Sequence, residues 1–385
     1  MIKHIFDMLN TIVKSIFYLD NWKKPSCKKL LIYDRAGTEQ LINFFDKDDI
    51  IFLDVRFTNN KSLNFYIIIK LIFKLRLNQK NYKNEFIKYS DPKYVLSLTD
   101  TNFGYLKLKK KFPNIIFILI QRSWRLNIEN QIIPLKNRNM ISKKENEIDY
   151  FIVFNKAVGR EFDKICKANY LDFGSFTNNN INILQKKKKY KYLLIGRNTD
   201  IQSSHSYWSK YFEMENRFYK KFFEYFRKNN KEPIHILGKS FDTSKAIKFY
   251  DKLLGKGSYI YIPRSQSSYD IMGTASYIFG STSTLLYEAL SRNFKVGVFS
   301  VTGRFKKLES SKFGWPTKLK EKGEFWTNSF ETEEIDRVVT FIETVNNIKW
   351  KKLVYKRMNN ILKYDRNNSR FISFSKKIGL PIIRK

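Results

Sequence analysis

Ile278-Phe279-Gly280-Ser281-Thr282-Ser283-Thr284-Leu285-Leu286-Tyr287-Glu288-Ala289-Leu290, followed by Lys295-Val296-Gly297-Val298-Phe299-Ser300, reads as the end of a buried strand, a hydroxyl-rich turn, a helix and the next strand. That order makes an anion site in α/β proteins, because the first backbone amides of the helix point at whatever lies beyond the strand. Ser281 is a natural N-cap, and no Asp or Glu occupies the first turn to fill the positive end of the helix. With the helix starting there, Ser281, Thr284 and Glu288 share one face, and Leu285, Leu286 and Ala289 turn towards the sheet. A phosphate at the cap and a ribose against Glu288 fit this face. An ordinary capped helix fits it as well, so the rest of the chain has to decide.

Working outward, the same alternation extends in both directions. Upstream lie strands at 192–195, 234–237, 259–262 and 277–279, with helices at 214–227, 244–254 and 268–272 between them. A separate series precedes it: apolar strand runs at 29–33, 50–55, 94–98, 115–120, 150–154 and 170–173, and helical patterns at 40–45, 63–77, 82–89 and 105–111. Strands alternating with helices imply mostly parallel sheets. Between the two series, Thr177 to Lys189 is polar and basic without an apolar period, which marks a boundary. The fold class expected is therefore α/β, with two Rossmann-like domains whose mostly parallel sheets face one another across a cleft. The divisions are 1–180, a basic linker at 181–189, a second domain at 190–330, and closing helices at 331–385. Of these, 333–345 and 350–362 are expected to brace the first half.

Composition narrows the function. The 385 residues suffice for two cores, and a hydrophobic fraction of 43% with 16% aromatics excludes a disordered chain. A formal net charge of +36 points to anionic partners, but lysine is spread along the whole chain and no nucleic-acid module is recognisable, so nucleic acid is not the expected partner. Abundant Asn, Ile, Phe and Tyr match the output of an AT-rich genome, which also raises lysine. What remains of the charge suits anionic lipid and polyanionic donors. Two distant cysteines, Cys27 and Cys166, and three scattered histidines give no metal-ligand spacing. The opening 24 residues pattern as an amphipathic helix, and the apolar run 65–73 is too short to span a bilayer, which needs ~20 apolar residues.

Ligands of open parallel sheets bind beyond the carboxyl ends of the strands. The candidates there are Asp34, Glu39 and Asp100 in the first half, and Arg197, Lys239, Arg264 and Ser281 to Thr284 in the second, with Glu288 one turn further along. Asp34 also suits a turn or cap carboxylate, and the cations also suit plain surface charge.

Nine segments carry a resemblance: IYDRAGTEQL (32–41), FLDVR (52–56), LTDTN (98–102), KKFPNIIFILIQ (110–121), YFIVFNKAVGREF (150–162), FGSFTNNNI (173–181), GSTSTLLYEAL (280–290), FGWP (313–316) and GEFWTNS (323–329). In this order they resemble a family of bacterial surface-carbohydrate, or O-antigen, biosynthesis proteins. The family's usual Gln-Asn-Gly is replaced here by Gln121-Arg122-Ser123. The run Ser281 to Thr284 is also similar to the serine/threonine motif of transferases using CMP-linked acidic sugars or CDP-linked polyols, without their His-Pro pair.

The resemblance implies a GT-B-type, metal-independent glycosyltransferase without a cofactor. It would take a sugar from a CMP-, CDP- or UDP-linked donor and pass it to a lipid-linked O-antigen, lipopolysaccharide or capsule precursor. It would work in the cytoplasm, peripherally at the inner face of the inner membrane. Arg197, Lys239, Arg264, Ser281, Thr282, Ser283, Thr284 and Glu288 would hold the donor, and Asp34 or Glu39, with Asp100 as a further candidate, would supply the base. A sugar-nucleotide epimerase or a CDP-polyol phosphotransferase of the same fold, and a basic nucleic-acid-binding protein, are the competing functions.

Overall fold

In the computed structural model, which describes residues 16–55, 63–124, 142–183, 187–197, 206–240, 242–263, 267–304 and 310–383, the apolar runs form two sheets. The first has six strands: β1 (Leu30–Tyr33), β2 (Ile50–Leu53), β3 (Tyr94–Ser97), β4 (Ile116–Ile120), β5 (Glu147–Val153) and β6 (Lys167–Asp172), in the order β2-β1-β3-β4-β5-β6. Every pairing in it is parallel. The second takes β7 (Tyr190–Ile195), β8 (Ile234–Leu237), β9 (Tyr259–Ile262), β10 (Ala275–Gly280), β11 (Val296–Phe299), β12 (Lys322–Gly323) and β13 (Trp326–Thr327). Its order is β12-β13-β11-β10-β7-β8-β9, parallel except for the short β12–β13 pair. These are the two Rossmann-like units of a GT-B-type fold.

Helices cover both sheets. In the first half these are α1 (Phe65–Phe73), α2 (Gln79–Ser90), α3 (Lys156–Asp163) and α4 (Phe176–Asn180); in the second, α5 (Ser206–Lys228), α6 (Thr243–Leu254), α7 (Ser268–Gly273) and α8 (Thr284–Ser291). Side-chain caps set many of their starts: Asn64, Asn78, Asn155, Ser175, Asp242, Ser267 and Ser283 each accept a first-turn amide. The first sheet carries a core on each face, and a third core fills the second half.

Several expectations are corrected. The helices expected at 40–45 and 105–111 are single 3-10 turns, Ile42–Phe44 and Tyr105–Lys107. The closing helices α9 (Thr332–Thr344) and α10 (Asn347–Met358) bury Ile335, Val338, Val339, Ile342, Trp350 and Val354 in the core of the second half, while the end of the 350–362 segment reaches the first, where the Ile361 carbonyl accepts from Asn155 Nδ2 at 2.6 Å. Further bracing within 331–385 comes from α11 (Ser369–Ile378), whose Phe371 lies in the first half's core and whose Ile378 carbonyl accepts from the Tyr94 hydroxyl at 2.7 Å. The amphipathic helix expected at the N-terminus lies largely outside the described residues.

Phe371 meets Phe44 and Phe176 edge-on at 5.6 and 5.0 Å. Phe371→Ala should therefore cost about 3–4 kcal/mol of stability in a urea titration, a value typical of removing a buried ring.

Candidate functional site

At the carboxyl edge of the second sheet, β7 ends in Gly196-Arg197, β8 in Gly238-Lys239 and β10 in Gly280 followed by Ser281-Thr282-Ser283. A Cβ on Gly196 would come within 2.9 Å of both the Leu237 carbonyl and the Tyr250 hydroxyl, and one on Gly238 would strike the Tyr261 hydroxyl. The absent side chains let tyrosines close the floor under this edge. Above it, the Arg197 guanidinium sits between the rings of Phe212 and Phe249, 4.6 and 4.4 Å from their centroids, an arrangement that fixes its direction.

Lys239 reaches across from β8 and donates to Ser283 Oγ at 2.7 Å. Ser283, not Ser281, is the N-cap of α8, and its Oγ also accepts the Leu285 amide at 3.3 Å. The expected cap is corrected by two residues, because Ser281 and Thr282 continue the bend out of β10 before the helix begins. No acidic residue lies in the first turn of α8, so its amides and Lys239 present positive charge together.

Two buried carboxylates flank this positive group. Glu215 projects from α5, accepts from Thr282 Oγ1 at 3.3 Å, and is pushed above the usual carboxylate range by burial, against the pull of Arg197 and Lys239. Glu288 accepts from Ser175 Oγ at 2.6 Å and from the Tyr269 hydroxyl at 2.8 Å, and burial lifts its carboxyl to about 7. Burial also lowers Lys239 to about 8, opposed by Glu215 and Glu288. Sequence reading missed Glu215. Its signal is that Phe218, Tyr219 and Phe222 make an apolar stripe of α5 which, continued back by three residues, lands on an acid.

Thr284 and Glu288 do share one face of α8, but that face meets the first half. The Trp124 amide donates to Thr284 Oγ1 at 2.9 Å, and the Trp124 ring stacks on Tyr287 at 4.0 Å. Ser175 holds Glu288, Asn178 donates to Ser291, and Arg292 donates to Asn178 and to the Ile181 carbonyl. Residues 284, 287, 288, 291 and 292 thus form a continuous stripe against the other domain.

The first-half candidates sit on the other sheet. Asp34 follows β1 with φ of 82°, and its carboxylate accepts the Ala36 amide at 3.1 Å and the Thr99 hydroxyl at 2.9 Å. Asp100 is buried in the turn after β3, the strand beside β1, so it and Asp34 share one edge, whereas Glu39 is exposed. The Arg122 guanidinium packs on Gly37 of the same loop. Arg264 lies outside the described residues. Among the described residues no three His, Cys, Asp or Glu side chains gather as a metal site.

A family profile described as "putative O-antigen biosynthesis protein" matches residues 118–379. Among curated proteins none matches. Sucrose-phosphate synthase from Thermosynechococcus elongatus superposes with a TM-score of 0.51 at 9% identity, covering 93% of this chain and 99% of that one. MnaA of S. aureus, solved with UDP, gives 0.50 at 15% identity over 93% and 98%. A UDP-GlcNAc 2-epimerase from Methanocaldococcus jannaschii gives 0.50 at 13% over 90% and 99%. At these identities the likeness is one of fold.

Glu288 gives a test by titration. Its folded pKa is raised, so the folded state holds a proton that the unfolded state has released between pH 4.5 and 7, and native stability falls as pH rises through that window. Glu288→Gln cannot titrate. Relative to the native protein, its stability should improve by about 2 kcal/mol between pH 5 and pH 8 in urea titrations.

Proposed function

The chain belongs to the O-antigen biosynthesis family matched over residues 118–379, and from that premise we propose that it is a glycosyltransferase using a nucleotide-linked sugar. The acceptor in this reading is a lipid-linked surface polysaccharide precursor at the inner membrane face. The observation that carries the proposal is the acid-free start of α8 joined to Lys239 through Ser283. The Leu285 amide and the Lys239 ammonium meet there on the Ser283 hydroxyl, a cluster of donors of the kind that the departing phosphate of a nucleotide requires, without a metal.

Ser281, Thr282 and Ser283 hold the phosphate in this reading, with Lys239 and Arg197 as its cations, and Arg264 is retained as a further cation from the sequence. Thr284 and Glu288 act from behind, since they tie the donor helix to the acceptor half. The base comes from the first half, from Asp34 or Asp100 at the β1–β3 edge, or from Glu39. Asp34 accepts from Ala36 in its own loop and from Thr99 in the turn after β3, which ties it to the turn that carries Asp100.

The two buried carboxylates beside Lys239 favour one other reading, an epimerase that acts on the donor sugar alone. Product analysis separates the two. A transferase leaves free nucleotide and needs an acceptor, whereas an epimerase changes the sugar without one.

A thermal-shift series against CMP, CDP, UDP and GDP should show protection by at least one nucleotide, and Lys239→Met should weaken it by about tenfold or more. Lys239 loses its charge as pH rises through about 8, so affinity should fall between pH 7 and 9 in the native protein but hold in Lys239→Arg. A well-folded protein indifferent to all four nucleotides would sink the reading.

A further inference from the structure

Large apolar side chains are exposed very unevenly over the described residues. Of the fifteen exposed large hydrophobics among the described residues, ten fall in two short segments, 16–22 and 69–77. Phe17 is 80% exposed, Leu19 79%, Phe73 84% and Leu75 95%. An Ile- and Phe-rich composition scatters such residues singly; it does not gather them.

The two segments are neighbours in space. The Trp22 ring stacks on Phe65 at the start of α1, 4.7 Å between centroids, and Asn64 Nδ2 donates to the Lys23 carbonyl at 2.9 Å. Helix α1, Phe-Tyr-Ile-Ile-Ile-Lys-Leu-Ile-Phe, is apolar all round except for Lys70. Phe65, Ile67 and Leu71 are buried, while Ile69, Ile72 and Phe73 face outward, where a surface helix normally carries polar groups. No described helix is long and apolar enough to cross a membrane, and α1 at nine residues spans only about 14 Å.

Charge identifies the occupant. Lys23, Lys24, Lys70, Lys74 and Arg76 lie within these segments or beside them, and Lys70 and Lys24 both sit over the Tyr89 ring, their ammonium groups 4.8 and 5.8 Å from its centroid. Lys23 pairs with Asp20 at 3.0 Å and Lys74 with Glu85 at 3.9 Å, so of these five cations two face a carboxylate and the face keeps a positive excess. An apolar face fringed by cations matches the boundary of a bilayer that carries anionic headgroups, with acyl chains for the rings and phosphates for the lysines.

We propose that residues 16–22 and α1 with its following turn form a membrane-docking face that seats the first half on an anionic bilayer. The face stands apart from the nucleotide site, so the two ideas can fail independently.

The test is flotation of the full chain with vesicles of mixed phosphatidylglycerol and phosphatidylcholine, beside vesicles of phosphatidylcholine alone. The native protein should float with the anionic vesicles and bind at least about tenfold more weakly to the neutral ones or in high salt. The double variant Phe73→Asp/Leu75→Asp, at two highly exposed positions, should lose about tenfold or more in binding while its melting and its nucleotide response stay native. Lys74→Gln/Arg76→Gln should weaken the anionic preference by several-fold. Native protein that stays at the bottom of the gradient, or an aspartate variant that floats like the native one, overturns the proposal. A dimer seen by light scattering that the aspartate variant dissolves, without vesicle binding, overturns it in favour of a second copy on this face.

Discussion

The carboxyl of Glu288 is buried where the two halves meet, and the geometry of the molecule turns on how it is satisfied. An unpaired carboxylate there would be costly, so one oxygen takes a hydroxyl from the first half, Ser175, and the other takes a hydroxyl from the second, Tyr269. Around that point the polar and aromatic stripe of α8 meets Trp124, Asn178 and the Ile181 carbonyl. The opposite side of the helix, with Leu285, Leu286, Ala289 and Leu290, is sunk in the second core. An eight-residue helix with both sides committed has little freedom to rotate or slide. Its first turn is therefore fixed relative to both sheets, and the hydroxyl run at that turn inherits the same precision.

The sequence made much of this legible, for a physical reason. Strands of a sheet covered on both faces are runs of apolar residues, so 234–237 and 296–299 emerge with the bounds read from the chain, as does the half-exposed edge strand 259–262. The cap was misplaced because Ser-Thr-Ser-Thr offers four adjacent side chains that can cap, and only the length of the bend after β10 selects Ser283. The 3-10 turn at Ile42–Phe44 escaped because the Asp34 carboxylate and the Thr38 backbone spend the preceding residues on a loop, leaving too few for a helix. Helix α11 went unread although Phe371, Phe374 and Ile378 recur at three- and four-residue spacing; all three pack into the first half's core, a partner far away in the chain. For α9 and α10 the pattern was legible but the destination was not: amphipathicity states that one face is buried, not against which sheet.

The same limit applies to the site. Strand ends could be listed because topology puts ligands there, and Arg197, Lys239 and the 281–284 run do share one edge. Glu215 could not be listed, since it reaches that edge from the side of a long helix. The spacing of Thr284 and Glu288 was read correctly, but a helical face has no label for its neighbour. In the folded chain the neighbour is Trp124 and Ser175, which makes these residues part of the joint between the two halves.

Glu288 raised to about 7 and Lys239 lowered to about 8 are two results of one cause, the exclusion of water from the edge of the second sheet. In the proposed function an arriving phosphate would act on both in the same direction. Its negative charge favours the ammonium of Lys239 and disfavours the carboxylate of Glu288, so each group holds its proton more firmly with the anion present. Anion binding at this edge would then be coupled to proton uptake, and departure of the anion would release what was taken up. Because Glu288 is also the joint between the halves, its protonated form donates a hydrogen bond where the ionised form can only accept. Both of its partners are hydroxyls, which can reverse their roles without moving. The joint can thus change charge while keeping its geometry, so the position of α8 against the first half does not depend on which form Glu288 takes.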